Sequence, residues 1–506
     1  MAARTDKPMW GVGEVLVLAL PVAAGMIGTT IMQFVDGLMV ARLTGHESLS
    51  AQFVSAILSF LPASVALGTL SVVNTFVSQN LGAGRARRCG QYAWGGLYLA
   101  VLMGALALPV AAVGPRLFAG LARLIAGWGG QQAGPRELAL QSMYFRYMIA
   151  GMPIMLASRA MGQFFFGIHR PWVVMVVILL SVAVNAGANY VLITGAGPLP
   201  ALGLEGAAIG TLIAWTFGLA MLLCFFLRGG NDRQFQTRSG WRRPVPFCRD
   251  ILRVGWPAGI HFGLDISAWS IFNGVLVAYF GPIHKAASAA ATRYMHVSFM
   301  PAIGIGIACT ALVGRYVGMG RPDLARHRTH AAVGVAVAYM GLCGLGFFLF
   351  RHPLIGLFSQ LQADPSPAAA NADAQAEILR IGATVLICAA IFQCFDAVGI
   401  VFAGALRGAG DTFWPMVITF VMAWTMVVGG GAAMVRWVPQ LGSIGPWIVA
   451  SAYVIALGMV MAWRFESGAW RKIDLLGRDG PTVAAPRALT VPVADPIADG
   501  GRDERM

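Results

Sequence analysis

The chain has 506 residues, of which 57% are hydrophobic and 11% are charged, whereas a soluble domain carries about 25% charged residues. So few charged side chains cannot cover the surface of a folded chain of this length, and the composition therefore excludes a soluble globular protein. The net charge of +14 does not indicate a nucleic-acid partner, because the basic residues form no patch with interleaved aromatic residues. The composition predicts an integral membrane protein.

Apolar stretches of about 20 residues predict twelve membrane-spanning helices. In the first half of the chain these helices start near Glu14, Ala51, Gln91, Leu138, Pro171 and Leu204. In the second half they start near Asp250, Ala286, Ala325, Ala376, Thr412 and Ile444. The predicted fold class is an all-α integral membrane protein.

The two halves of the chain resemble each other in sequence. Residues 77–85 (VSQNLGAGR) align with residues 313–321 (VGRYVGMGR) at an offset of 236, and the same offset pairs Pro21 with Pro257. Because each half has an even number of helices, the two copies are parallel and are related by an axis along the membrane normal. We therefore predict two six-helix bundles related by pseudo-two-fold symmetry, an architecture typical of transporters.

The domain boundaries follow from the same pattern. We predict an N-terminal lobe over residues 1–228, a cytoplasmic inter-lobe loop over residues 229–249 and a C-terminal lobe over residues 250–465. Residues 466–506 are polar and rich in Pro, Ala and Asp, which predicts a disordered cytoplasmic tail. With the N-terminus in the cytoplasm, nineteen basic residues lie on the cytoplasmic side and seven on the other, so the positive-inside rule predicts that both termini are cytoplasmic.

Only three acidic residues, Asp36, Asp265 and Asp396, lie deep in apolar stretches. A charge at the bilayer centre costs at least about 2.5 to 3.5 kcal/mol on insertion scales, so each of them needs a reason. The favoured interpretation is that they bind protons, sodium or a cationic substrate in a water-filled cavity. The alternative is structural pairing with the embedded arginines Arg146, Arg159, Arg293 and Arg380.

His261 lies four residues before Asp265 and therefore on the same helix face. It could titrate with that carboxylate, although a single membrane histidine is more often a packed or water-bonded residue. The seven cysteines include no CxxC pair and lie mostly in apolar stretches, so they are interpreted as core residues and not as metal ligands or disulfides.

Two of the embedded aspartates, Asp36 and Asp396, lie in recognisable sequence motifs. Pro21 precedes Asp36 by fifteen residues, and Asp36 lies in FVDGLMV (residues 34–40). In the tenth predicted helix, QCFDAV (residues 393–398) contains Asp396 and is followed by GALRGAGDT (residues 404–412). From about Glu14 to Trp463 the chain resembles the multidrug and toxic compound extrusion (MATE) family, in particular its NorM-like branch.

The resemblance implies a set of site residues. Asp36 matches the family's cation-site aspartate, and Asn185, Asn189 and Thr211 fall where the family places its polar partners. Asn185 and Asn189 are four residues apart and share a helix face. Asp265, eight residues after Pro257, stands where the NorM branch usually carries a glutamate. We expect Asp265 and Asp396 to share a substrate-binding and cation-coupling cavity in the second lobe.

The implied function is secondary active efflux of cationic or amphipathic organic compounds in exchange for H+ or Na+, in the cell inner membrane. One positive charge that moves inward supplies about 2.3 kcal/mol per 100 mV, and the chain has no GxxxxGK[ST] phosphate loop. We expect a monomer that is not an enzyme and that needs no cofactor, with Na+ as one candidate ion at Asp36. The alternatives are a lipid-linked oligosaccharide flippase of the same superfamily and an integral-membrane transferase.

Overall fold

A computed structural model of the chain describes residues 11–127, 134–196, 200–242, 244–362 and 372–477, and all regular structure within those ranges is helical. The first half contains α1 (Gly11–Thr44), α2 (His46–Gly82), α3 (Ala86–Ala107), α4 (Val110–Gly127), α5 (Pro135–Gly167), α6 (Pro171–Thr194) and α7 (Leu204–Phe226). A short helix, α8 (Gly229–Phe235), follows in the connection between the halves.

The second half begins with α9 (Val245–Ile271), which continues through a π-helical turn (Phe272–Val277) to Phe280. It goes on with α10 (Pro282–Gly318), α11 (Pro322–Leu349), α12 (Arg351–Gln362) and α13 (Ala372–Ala409). The chain then forms α14 (Phe413–Met422), a π-helical segment (Ala423–Gly430), α15 (Gly431–Trp437) and α16 (Ile444–Glu466). All twelve predicted helix starts lie within five residues of an observed start.

Ten helices in the described ranges are long and apolar enough to cross a membrane, and the bent pair of α3 and α4 makes an eleventh. The count of twelve depends on α5. This helix has 33 residues and is therefore about 50 Å long, but Arg136, Glu137, Arg146 and Arg159 reduce its apolar character. The protein is a multi-pass membrane protein whose fourth long helix is the most polar.

The sequence repeat is also visible in the helices. Helices α2 and α10 both have 37 residues, and α7 and α16 both have 23. The aligned segments 77–85 and 313–321 end α2 and α10 in the same way. Gly84 and Gly320 take positive φ angles of 72° and 73°, which lets the next backbone N–H reach back into the last helical turn. The repeated glycines are thus helix caps.

Helix α2 divides its contacts between the two lobes. In its first part, Ser50 donates to Glu137 (2.6 Å) and Ser55 donates to the carbonyl of Gln141 (2.8 Å), both on α5 of the same lobe. From Phe60 onward the helix also faces the second lobe, where the Phe60 ring packs against Phe262 of α9. The lobes therefore meet along the part of α2 from Phe60 to Gly82, and Glu14 of α1 adds a second contact by pairing with Arg328 of α11 (2.7 Å).

The part of α2 from Phe60 to Gly82 approaches the second lobe at backbone distance. A Cβ added at Gly68 would overlap Ala258 of α9, and one at Gly82 would overlap the carbonyl of Arg315 of α10. A Cβ at Gly318 would in turn overlap the carbonyl of Gln79. Three side chains of α2, those of Asn74, Thr75 and Gln79, donate across the interface to the carbonyls of Ile307 (3.3 Å), Arg407 (2.8 Å) and Gly408 (2.9 Å).

Two of the predicted boundary segments contain ordered structure. The predicted loop 229–249 contains α8 and the start of α9, which begins at Val245. The predicted tail begins with packed residues, because the buried Trp470 stacks on Phe465 (5.1 Å) and donates to its carbonyl (2.9 Å). Arg85 also donates to the carbonyl of Leu476 (3.1 Å). Residues 478–506 of the predicted tail lie outside the described residues.

Candidate cation and substrate sites

The N-terminal lobe brings together the four polar residues that the family resemblance implies. The amide of Asn189 on α6 donates to Asp36 of α1 (2.6 Å) and lies 3.5 Å from the side-chain oxygen of Asn185. Thr211 on α7 is buried with them, but its hydroxyl donates to its own helix at Ala207 (3.0 Å). These buried oxygens form a compact polar site between three helices.

Glycines on α1 and α7 allow this close approach. Gly25 and Gly28 of α1 pack against Ile178 and Leu179 of α6, which holds the helix of Asp36 against the helix of the asparagines. A Cβ added at Gly210 of α7 would overlap the side-chain oxygen of Asn189. Within the described ranges, the Asn189 side-chain oxygen and the Asn185 amide nitrogen are buried without a hydrogen-bond partner. The site therefore has one acceptor and one donor group that are free to bind a ligand.

Sequence reasoning missed two residues here. Gly210 has no polar side chain, and the only signal for it was the spacing of Gly206 and Gly210 on α7. Tyr144 of α5 is buried, receives a hydrogen bond from Gln52 (3.4 Å) and lies close enough to Asp36 and Thr211 to interact with both. A search for embedded carboxylates does not find a tyrosine.

The C-terminal lobe holds a different arrangement. Asp265 on α9 and Asp396 on α13 lie within electrostatic range of each other. The hydroxyl of Tyr453 on α16 donates to Asp265 (3.4 Å) and also lies within range of Asp396. Both carboxyl groups are half-buried, while Tyr453 is buried. Three helices therefore converge on a pair of acids and one phenol.

The groups around this pair also have defined positions. Three residues before Asp396, the buried Gln393 donates to Ser298 of α10 (2.7 Å), which fixes α13 against α10. Arg380, one of the arginines considered as a structural partner, pairs with Glu377 on the exposed start of α13 (2.8 Å).

The segment GALRGAGDT (residues 404–412) lies outside both sites and joins helices. Its Gly404 and Gly408 pack against the carbonyls of Gly306 and Thr310 of α10. Its aspartate, Asp411, forms a buried ion pair with Arg464 of α16 (2.7 Å). This motif therefore joins helices of the second lobe at the inter-lobe contact.

The two sites differ in the ligands that they can hold. The site at Asp36 combines one carboxylate with amide and hydroxyl oxygens, the donors that suit a hard cation or a proton. No group of three or more His, Cys, Asp or Glu side chains that could hold a metal ion occurs in the described part of the chain. Two neighbouring carboxylates such as Asp265 and Asp396 repel each other when both are ionised, so such a pair tends to share a proton.

Comparison with known proteins agrees with this architecture. The sequence model of the MatE family matches residues 21–191 and 263–430. The chain is 31% identical over 456 residues to the multidrug resistance protein NorM of Burkholderia vietnamiensis, which covers 89% of this chain and 92% of that protein. It is 28% identical to the probable multidrug resistance protein NorM of Thermotoga maritima, over 92% and 94% of the two chains.

Solved structures show the same fold. A MOP superfamily transporter from Pyrococcus furiosus, whose binding pocket is described as having reverse polarity, superposes with a TM-score of 0.79 at 20% identity and covers 92% of this chain and 97% of its own. The eukaryotic MATE transporter AtDTX14 superposes with a TM-score of 0.76 at 15% identity, over 91% and 97% of the chains. With more than half of its residues matched by the family's sequence model, the chain belongs to the MatE family, in its NorM-like branch.

Proposed function

We propose that this protein exports organic compounds, cationic or amphipathic in chemistry, in exchange for H+ or Na+ that moves inward. The proposal is supported by one observation above all: each lobe holds its own embedded carboxylate site. Carboxylates inside a membrane protein are typical of ion and substrate pathways. The names of the NorM relatives point to the same activity.

Alternating access follows from the inter-lobe contact. The helix ends at Gly82 and Gly318 are on the side that the positive-inside rule assigns to the cytoplasm, so this conformation is closed toward the cytoplasm. Opening that side breaks the three hydrogen bonds of Asn74, Thr75 and Gln79 and the contacts of Glu14 with Tyr316 and Arg328. Each hydrogen bond is worth about 1 kcal/mol, and in this proposal ion or substrate binding offsets the loss of these contacts.

The two sites divide the work in this proposal. Ion binding at Asp36, Asn185, Asn189 and Thr211 couples transport to the gradient, and Asp265 with Asp396 receives the positive charge of the substrate. A proton shared by the second pair leaves one negative charge to attract a cation, and protonation of the other carboxylate removes that charge. Release of substrate then follows uptake of a proton.

The decisive experiment measures uptake of a fluorescent organic cation into inverted membrane vesicles. The vesicles are energised in separate arms by a pH gradient and by a Na+ gradient. Uptake with one gradient identifies the coupling ion. If neither gradient drives uptake into vesicles that contain folded protein, the proposal is contradicted and the flippase alternative is favoured. The cavity of such a flippase needs cationic groups to hold a pyrophosphate.

We propose that the protein is a monomer in the cell inner membrane. Its proposed orientation places both termini in the cytoplasm. Reporter fusions after Gly240 and after Gly468 test it. We expect a cytoplasmic signal at both positions. A periplasmic signal at both would reverse the orientation, and opposite signals would contradict the even number of spans.

A further inference from the structure

A groove at the end of the N-terminal lobe carries aromatic and basic side chains that neither transport site uses. Its volume is about 540 Å3, and it is lined by Trp94 and Tyr98 of α3, Leu227 at the end of α7, and Arg238 and Trp241 from the connection after α8. The groove lies between α3 and the connection after α8, the segment predicted as the inter-lobe loop. Tyr98 and Trp241 are 40% and 48% exposed.

The walls of this groove are held in place by the lobe itself. The indole nitrogen of Trp94 donates to the carbonyl of the buried Thr237 (2.6 Å). The Trp94 ring packs edge-on against Phe226 (5.8 Å) and lies 6.0 Å from the ring of Tyr98. A Cβ at Gly90 of α3 would overlap the carbonyl of Phe235, so the connection lies directly on α3. The groove is therefore formed before any ligand arrives.

One arginine, Arg238, lines the groove, and a second, Arg242, lies next to its lining residue Trp241. Arg238 donates from Nε to the carbonyl of Leu227 (3.0 Å), and its two terminal nitrogens have no hydrogen-bond or ion-pair partner within the described ranges. The Arg242 guanidinium lies over the Trp241 ring (5.9 Å). Over residues 228–249 the sequence has six arginines and one acidic residue. This distribution favours an anionic group at the mouth of the groove. A single guanidinium group can donate two parallel hydrogen bonds to the oxygens of one phosphate.

An apolar strip continues from the groove along α3. After Trp94 and Tyr98, the same face carries Leu102 and Leu106, which are 55% and 70% exposed, at four-residue spacing. Exposed leucines on a membrane helix face hydrocarbon. The groove thus joins a cationic mouth to an apolar strip, the order in which a phospholipid presents its phosphate and its acyl chain.

We propose that this groove binds an anionic phospholipid, with its phosphate on Arg238 and Arg242 and an acyl chain along Trp94, Tyr98 and Leu102. A basic pocket between helices at the cytoplasmic boundary is a known kind of lipid-headgroup site, and the proposal places this lipid in the cytoplasmic leaflet, which rests on the orientation proposed above. The bound lipid contacts both α3 and the connection that leads to the second lobe.

The test is mass spectrometry of the intact, full-length protein in detergent. Phosphatidylglycerol, phosphatidylcholine with the same acyl chains, and glycerol phosphate are added in separate arms. We expect phosphatidylglycerol to bind more tightly than phosphatidylcholine, and the double variant Arg238→Gln with Arg242→Gln to bind it about thirtyfold more weakly, since each arginine near an anionic lipid contributes about fivefold. The matched control is the double variant Arg87→Gln with Arg321→Gln. It removes two exposed arginines, one at the start of α3 and one just before α11.

The outcomes separate the sources of binding. An equal loss in the control variant would show general attraction between a basic surface and lipid, and would overturn the proposal. Equal binding of the two lipids would overturn the role of the headgroup charge. Full competition by glycerol phosphate at the same concentration would reduce the groove to a site for a free anion. Binding is read without transport, so failure here leaves the proposed efflux function untouched, and failure of transport leaves this test valid.

Discussion

The two lobes derive from one repeat, yet their polar sites are built at different places. The offset that pairs Pro21 with Pro257 pairs Asp36 with Phe272, which is buried and packs edge-on against Trp447 (4.9 Å). Where the first lobe has a carboxylate held by amides, the second lobe has an aromatic cluster. Its own carboxylate, Asp265, lies seven residues earlier on α9.

The backbone differs at the same place. Helix α9 changes to a π-helical turn at Phe272–Val277, and the segment that corresponds to α6 is π-helical over Ala423–Gly430. π-Helical turns are rare and often mark functional sites. The comparison teaches that repeat symmetry preserves helix lengths and caps, while each lobe uses its interior for different chemistry: a single carboxylate among neutral oxygens in one, and a carboxylate pair in the other.

The largest effect is expected from Asp36→Asn. The substitution removes the only carboxylate of the first site while it keeps the side-chain volume, so gradient-driven efflux should fall to the level of vesicles without the protein. Uptake into inverted vesicles measures it. Asp323→Asn, at an exposed aspartate that pairs with Arg471, is the matched control and should transport normally. Wild-type rates in Asp36→Asn would remove this residue from the coupling mechanism.

A double-mutant cycle on Asp265→Asn and Asp396→Asn tests whether the second pair acts as a unit. Each single variant should lose most of its transport and substrate affinity, and the double variant should lose little more, because coupled residues are not additive. Asp265→Glu, which restores the usual residue of the branch, should remain active. The opposite result would be additive losses of transport that parallel lower expression and that Arg293→Gln reverses. That result would show that both carboxylates are structural.

Gly210→Ala tests the first site without altering a polar group. The added methyl would overlap the Asn189 oxygen and displace the amide from Asp36, so the apparent affinity for the coupling ion should fall about tenfold, the loss of one hydrogen bond to a charged group. Ion-dependent transport rates measure it. Gly187→Ala is the control, because a Cβ at Gly187 meets no atom within 4 Å. If both variants lose the same ion affinity, the loss is a general effect of replacing glycine by alanine in α6 and α7 and not a contact with Asn189.

The smallest effect is expected from Tyr453→Phe. Its hydroxyl is 3.4 Å from Asp265, a long hydrogen bond, so we expect a decrease in substrate affinity of about fivefold at most. Tyr279→Phe, at a tyrosine that is 68% exposed, should change nothing. A loss as large as that of Asp265→Asn would mean that the phenol itself carries the proton.

The sequence alone determined the features that depend on local composition. The cost of placing a side chain in lipid is summed over about 20 neighbouring residues, so the helix starts and the isolation of Asp36, Asp265 and Asp396 could be read without a structure. Helical periodicity placed Asn185 and Asn189 on one face, and the repeat predicted equal lobes. α5 shows where this reasoning weakens, because its arginines lower the apolar signal of a helix that packs inside the lobe.

Only the tertiary structure decided which residues of different helices meet. The contact of Tyr453 with Asp265 joins positions 188 residues apart, and the approach of Asn189 to Gly210 depends on how closely α6 and α7 pack. Such distances depend on helix crossing angles and on the side chains between the helices, which no local pattern contains. The buried Trp470 at the start of a polar segment and the closed contact of α2 with α9 and α10 arise in the same way, from surfaces that exist only after the helices have packed.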